Sequence, residues 1–338
     1  MIQSNYDEEL LRCPRCRSRL SEVQDKVSLV KIFQCTAIDD HKFPIIHGIP
    51  ILINDDNSVF RIEDFKSPAV TGKIGINRDV KNTGADDQGY AKSKSTLRRL
   101  YLQFAKKLQS FHVIGPRITL DDALQTVKRI TPNPKVLVVG AGERRINLIE
   151  ENVIYTDVLL DKGIEYVCDA HDLPFPDEVF DFVIAQAVLE HVADPWRVAL
   201  EIHRVLKPRG YVFATTPFLQ PIHMGAYDFT RFTLAGYRRL FRYFDEIELV
   251  AAYGPGSSLA YAIQYFLASF ASRKPYHAMM NFLGLLISRP FKILDKVLLN
   301  QKAALAFAAG YLFFGVKADK PLSDREVVEY IKTRLTIS

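Results

Sequence analysis

Hydrophobic positions along the chain follow two periods. Short, nearly unbroken apolar runs (Val136–Val139, Val153–Tyr155, Phe180–Ala185 and Tyr211–Ala214) have the length and β-branched or aromatic content of buried strands. Helix-length segments separate them, so the pattern predicts a parallel sheet with crossover connections. A three- and four-residue period instead marks Leu97, Leu100, Tyr101, Phe104 and Leu108 and predicts a helix starting near Ser95. A second helix is predicted over Leu120–Ile130, ending before Pro132 and Pro134, and a short helical segment over Ala187–Val192. Further on, the pattern predicts a helix near Leu234 to Phe244, a strand near Ile247 to Ala252 and a last strand over Gly310–Val316. Between those strands, Leu259, Ile263, Phe266, Leu267 and Phe270 form one helical face, continued by Phe282, Leu285, Leu286, Phe291, Leu294 and Leu298.

Open sheets of this kind take their ligand beyond the carboxyl ends of the strands. The polar residues that punctuate that edge are Gly140-Ala141-Gly142, Asp157, Asp169, the Gln186 to His191 segment and Thr215-Thr216-Pro217.

Six ordered elements then give a specific resemblance. They are the Gly140-Ala141-Gly142 loop, Asp157 after the second run, Asp169-Ala170-His171-Asp172-Leu173-Pro174-Phe175, Phe180-Asp181-Phe182-Val183, Leu189-Glu190-His191-Val192 and Leu206-Lys207-Pro208-Arg209-Gly210. In that order they resemble the class I S-adenosylmethionine-dependent methyltransferases, over about residues 130 to 318. The resemblance implies an α/β fold: a Rossmann-like sheet with helices on both faces. It also implies S-adenosylmethionine as cofactor. Gly140, Ala141 and Gly142 would lie against its methionine and ribose, Asp157 would accept from the ribose hydroxyls, and Asp169, Ala170 and Leu173 would meet the adenine, with Gln186 on the same edge. Two positions depart from the family pattern, Val138 in place of an acid and Arg144 in place of the third glycine.

Methyl transfer to a hydroxyl requires an aligned acceptor and removal of its proton. His191 and His223 follow strand ends on the active edge and are the candidate bases. The segment from Pro221 to Thr233 resembles a loop found in a glycan-associated branch of these enzymes; in it His223, Asp228 and Arg231 would supply a base, an orienting acid and an anion clamp.

The first 54 residues have another character. Cys13-Pro14-Arg15-Cys16 is a tight knuckle, an alternating run Leu29 to Gln34 follows, and Cys35 and His41 are spaced to reach one ion. With the Phe43-Pro44 and Gly48-Ile49-Pro50 ending, this stretch resembles the small zinc-ribbon-like modules that accompany methyltransferases. Cys13, Cys16, Cys35 and His41 are therefore candidate zinc ligands, and a metal-free β-ribbon with buried thiols stays equally open. The division expected is a ribbon-like module over 1–54, a linker over 55–95, a methyltransferase domain over 96–257, an apolar and basic helical insertion over 258–302, a last strand within 303–320 and a tail over 321–338.

Composition narrows the setting. A chain of 338 residues can bury a large core, and its formal charge of +5 does not by itself point to nucleic acid. With 4 cysteines and a polar, acidic first segment, a reducing, cytoplasmic setting is expected. The insertion carries Arg273, Lys274, Arg289, Lys292, Lys296 and Lys302 against Asp295 alone, which fits helices lying on an anionic membrane surface as well as a lid or dimer face. The leading reading is a methyltransferase acting on a sugar or lipid-linked glycan hydroxyl, a small-molecule acceptor. The others are an RNA methyltransferase with a zinc-ribbon reader, disfavoured by the sparse basic and aromatic interleaving of the ribbon, and a non-catalytic cofactor-binding module.

Overall fold

The computed structural model describes residues 6–25, 30–66, 116–142, 148, 152–161, 163–270 and 273–335. The helix predicted from Ser95, most of the predicted linker and Arg144 lie outside the described residues.

Eleven strands form one sheet: β1 (Leu20–Gln24), β2 (Lys31–Cys35), β3 (Lys42–Ile46), β4 (Ile49–Leu52), β5 (Val136–Val139), β6 (Val153–Asp157), β7 (Tyr166–Cys168), β8 (Phe180–Gln186), β9 (Leu206–Pro217), β10 (Phe244–Tyr253) and β11 (Gly310–Lys317). Their order is β1-β2-β3-β4-β7-β6-β5-β8-β9-β11-β10. From β7 to β9 all neighbours are parallel, whereas β11 runs antiparallel between β9 and β10. This α/β sheet, with the last strand in sequence reversed and placed inside the edge strand, is the Rossmann-like arrangement that the resemblance implies. β5 is buried at every position, which explains why it reads as an unbroken apolar run.

Eight helices accompany the sheet among the described residues: α1 (Ile62–Lys66), α2 (Leu120–Ile130), α3 (Pro195–Val205), α4 (Leu234–Leu240), α5 (Pro255–Ser269), α6 (Lys274–Ile293), α7 (Asp295–Leu298) and α8 (Asp324–Leu335). Local chemistry sets their starts. Thr119 and Asp122 form a reciprocal capping box on α2, and Asp194 caps α3 ahead of Pro195. The largest aromatic cluster sits beneath α4, where Phe241 stacks on Phe313 with ring centroids 4.5 Å apart. Full burial of one such ring stabilises the fold by about 1.5–3 kcal/mol.

Three elements differ from the sequence pattern. Ala187–Val192 is a series of turns, not a helix. Ala187 adopts a left-handed φ of 53°, and its amide bonds the Thr215 carbonyl at 2.9 Å. The Glu190 carbonyl, which a helix would use internally, instead accepts from the Phe229 and Thr230 amides at 2.8 and 3.3 Å. The C-terminal residues read as a tail contain α8, held where Arg239 and Arg242 reach Asp324 and Tyr330 donates to Glu246 at 2.6 Å. The N-terminal module, finally, is no separate bead. β4 pairs in parallel with β7 through Ile51 with Val167 and Leu52 with Cys168, so its strands extend the main sheet. Arg12 N to Pro174 O at 2.9 Å and Asn54 Nδ2 to Asp172 Oδ2 at 3.0 Å fasten it to the segment after β7. Residues 55–66, expected to open the linker, form a turn and α1 against this junction.

The insertion is a pair of packed helices. α5 and α6 meet so closely at Gly284 that an added Cβ would lie 2.8 Å from the Gln264 Cα. Buried Asp295 accepts from the Gly256 and Ser257 amides at 2.7 and 2.9 Å, closing the amino end of α5 from a distant part of the chain.

Candidate active site

The carboxyl ends of β5, β6 and β7 surround a cavity of about 160 Å³. Gly140, Gly142, Asp157, Asp169, Ala170 and His191, all singled out in the sequence, line it. Ala141, Leu173, Gln186, His223 and Asp228 lie outside that lining. Gly140 has φ +65°, and a Cβ there would lie 2.5 Å from Val188 Cγ2, so both its conformation and its closeness to Val188 call for glycine.

The two carboxylates are already engaged by the protein. Asp157 accepts from the Gly142 amide at 2.7 Å and from the Leu159 amide at 2.8 Å. Burial raises its pKa, and these amides work against that rise. Asp169 caps a 3-10 turn by accepting from the His171 amide at 3.0 Å, bonds His171 Nδ1 at 2.5 Å and receives the Ser58 hydroxyl. Burial works to raise the Asp169 pKa but is overcome by His171 and Ser58, leaving the carboxyl below its ordinary range. An ionised carboxylate offers about four lone-pair sites, so both retain capacity for a ligand's donors.

Sequence reasoning missed one wall of the cavity. Val59 and Phe60 line it, and Phe60 stacks on Tyr227 with centroids 5.6 Å apart and planes 9° apart. Nothing in the polar, aperiodic run from Asp55 onward signalled this, because the contact depends on the module docking beside β7.

Beside this cavity, His191 and His223 come together with rings edge to face, centroids 4.6 Å apart. His191 Nδ1 bonds the Tyr227 carbonyl at 2.8 Å. Burial lowers the His191 pKa, whereas contact with Glu190 raises that of His223. Asp228 accepts from the His223 amide at 2.8 Å and is gripped by the Arg231 guanidinium, one contact being Nη2 to Oδ2 at 2.5 Å. Arg231 therefore braces Asp228 in this arrangement. Glu190, fully buried between the two histidines, was read in the sequence only as part of Leu-Glu-His-Val.

In the N-terminal module, the ligand atoms of Cys13, Cys16, Cys35 and His41 all lie within 4.8 Å of one another. Cys13 Sγ is 3.4 Å from His41 Nδ1, and the Cys16 and Cys35 sulfurs are 3.4 Å apart. Burial works to raise the Cys16 pKa, but Ser18, Cys35 and His41 pull it down to about 6.

Residues 137–214 match the family described as a methyltransferase domain. Over that span the chain is similar to methyltransferase domains. A ubiquinone/menaquinone biosynthesis C-methyltransferase of Desulfotalea psychrophila is 34% identical over 132 residues, covering 38% of this chain and 51% of that protein. A glycine/sarcosine/dimethylglycine N-methyltransferase of Actinopolyspora halophila is 32% identical over 109 residues, covering 26% of this chain and 19% of its own length. Among solved structures, phosphoethanolamine N-methyltransferase 2 of Haemonchus contortus aligns over 66% of this chain and 58% of that one, at 18% identity and a TM-score of 0.38. The chain thus spans about half or less of the curated relatives it matches.

Proposed function

We propose that the chain is an S-adenosylmethionine-dependent methyltransferase that O-methylates a sugar or lipid-linked glycan at a membrane surface. The observation that carries the cofactor assignment is the cavity at the ends of β5 to β7, where a left-handed Gly140 and buried Asp157 and Asp169 meet inside the matched span. Gly140, Ala141 and Gly142 would hold the methionine and ribose portion, Asp157 the ribose hydroxyls, and Asp169, Ala170 and Leu173 the adenine, with Gln186 closing the end of β8. The cofactor supplies a methyl group on a sulfonium. His191 and His223, braced by Asp228, stand where an acceptor hydroxyl would be oriented and relieved of its proton. Val138 is buried in β5 and offers no carboxylate, so affinity would rest on Asp157 and Asp169. Calorimetry with S-adenosylmethionine tests the assignment: micromolar-range binding is expected, and a wild-type protein that binds none overturns it.

The α5–α6 pair supports the membrane part of the reading. Phe266, Phe270, Tyr276, Met279 and Leu283 are all exposed there. No helix among the described residues is long and apolar enough to cross a membrane, so docking would be peripheral.

Zinc in the N-terminal module is part of the same proposal. The Cys13, Cys16, Cys35 and His41 atoms converge as four ligands must, and a Cys16 thiol with a pKa of about 6 is available as the thiolate a metal requires. Purified protein is expected to carry zinc at this site and to lose it on Cys16→Ser.

A further inference from the structure

The turn after β8 and the loop after β9 bring Glu190, His191 and His223 to one point. The Glu190 side chain is 0% exposed, and neither of its carboxylate oxygens has a hydrogen-bond donor among the described residues. Leaving a buried carboxylate without donors costs several kcal/mol in order of magnitude, so the group calls for a positive partner.

Two imidazole nitrogens face it without reaching it. His191 Nε2 stands 3.7 Å and His223 Nε2 3.5 Å from Glu190 Oε1. Those separations exceed ordinary hydrogen bonds. They approach the spacing of about 3–3.5 Å between two ligands that each bind one cation at roughly 2.1 Å.

The rear nitrogen of His191 is engaged by a carbonyl, as in histidines that bind metal through the other nitrogen. That of His223 lies near a carboxylate that could take its N–H once Arg231 gives way. His191 Nδ1 bonds the Tyr227 carbonyl at 2.8 Å, which turns its Nε2 lone pair toward Glu190. His223 Nδ1 lies 3.6 Å from Asp228 Oδ2 and 3.4 Å from Arg231 Nη2. The three forward ligand atoms all lie within 4.8 Å of one another. His191 also lines the cofactor cavity, so the group borders the space where an acceptor would enter.

We propose that Glu190, His191 and His223 form a second divalent-cation site, of the zinc class, with a coordination position left for an oxygen ligand on the cavity side. Two imidazoles and one carboxylate are a donor set that leaves such positions open. The oxygen ligand would be the acceptor hydroxyl, made more acidic by the cation. The histidines would then hold the cation, and the proton of the acidified hydroxyl would leave to solvent water while the oxygen takes the methyl group. This use of the cation rests on the methyltransferase reading, whereas binding of the cation does not.

Cobalt(II) is a suitable probe because it separates this site from the thiolate cluster. Full-length protein stripped with chelator and titrated with cobalt should show visible d–d bands from a nitrogen–oxygen site, separate from the sulfur charge-transfer bands of Cys13, Cys16 and Cys35. Glu190→Gln and His223→Asn should each remove the first set and spare the second, with circular dichroism unchanged. Zinc content should fall by about one equivalent in each variant. Spectra and zinc content that both variants leave unaltered overturn the proposal and leave a bare Glu190–His223 ion pair. Should a variant misfold, X-ray absorption of zinc-loaded wild type decides: a first shell rich in nitrogen and oxygen supports the second site, and a shell of only three sulfurs and one nitrogen excludes it. Because S-adenosylmethionine binding is measured separately, failure here and failure of the methyltransferase reading are distinguishable.

Discussion

The two ends of the active edge treat buried carboxylates in opposite ways. At the cofactor end, Asp157 takes the Gly142 and Leu159 amides and Asp169 takes His171 and Ser58, so each negative charge is held by fixed donors. At the acceptor end, Glu190 is more deeply buried and has no donor among the described residues. The first arrangement is stable before any ligand arrives. The second leaves its carboxylate for a charged partner, a cation or a protonated histidine, to meet. The contrast makes the Asp157–Asp169 end rigid and leaves the Glu190 end to be completed by a charged partner.

Substitutions can break or sharpen that contrast. The largest effect is expected from Gly140→Val, which adds left-handed strain and a clash with Val188. Each contributes about 1–3 kcal/mol, so the melting temperature should drop and cofactor binding should vanish. A variant that still binds would show that the cradle at Gly140 is dispensable. Asp157→Ala comes next: calorimetry should show S-adenosylmethionine affinity weakened by about 1–3 kcal/mol, for the lost charge-assisted bonds. Unchanged affinity would remove Asp157 from the ribose site. Glu190→Gln should act in the opposite sense on stability. In chelator-treated protein it should raise the unfolding free energy by about 1 kcal/mol, because it removes a buried charge that lacks donors, and in metal-loaded protein it should abolish turnover. Destabilisation by the same substitution would mean that Glu190 is as well satisfied as Asp157. The smallest effects are expected at the α5–α6 surface. Replacing Arg273 and Arg289 with Gln should reduce sedimentation with anionic vesicles by about 1 kcal/mol per charge, and salt should mimic the loss. The doubly substituted Phe266→Ser, Phe270→Ser protein should lose the salt-resistant remainder. If vesicles never bind, and deleting the helix pair breaks a dimer, the surface is an oligomer contact.

Strands were the most legible part of the sequence. β5, most of β8 and the Tyr211–Ala214 part of β9 are largely buried on both faces, and burial on both faces writes itself as an apolar run. The glycines and the acids at strand ends were readable for a related reason: a turn with positive φ and a carboxylate facing amides admit few residue types. Leu-Glu-His-Val was misread as helix because its apolar spacing fits a helical face. What makes it a turn is the claim of the Phe229 and Thr230 amides on the Glu190 carbonyl, about forty residues downstream in sequence. The same long separation hid Glu190 as a partner of His223 and Phe60 as a wall of the cavity. Local pattern carries no trace of contacts made only when distant segments dock.

The parallel pairing of β4 with β7 has a consequence for anyone dividing the chain. Without the first fifty-odd residues, β7 would become a bare outer strand, its amides and carbonyls open to any passing polypeptide. Fragments that begin at the methyltransferase domain should therefore tend to self-associate, however complete their catalytic residues. The small N-terminal strands serve as a selvedge, the finished border that keeps the woven edge of the sheet from catching on its neighbours.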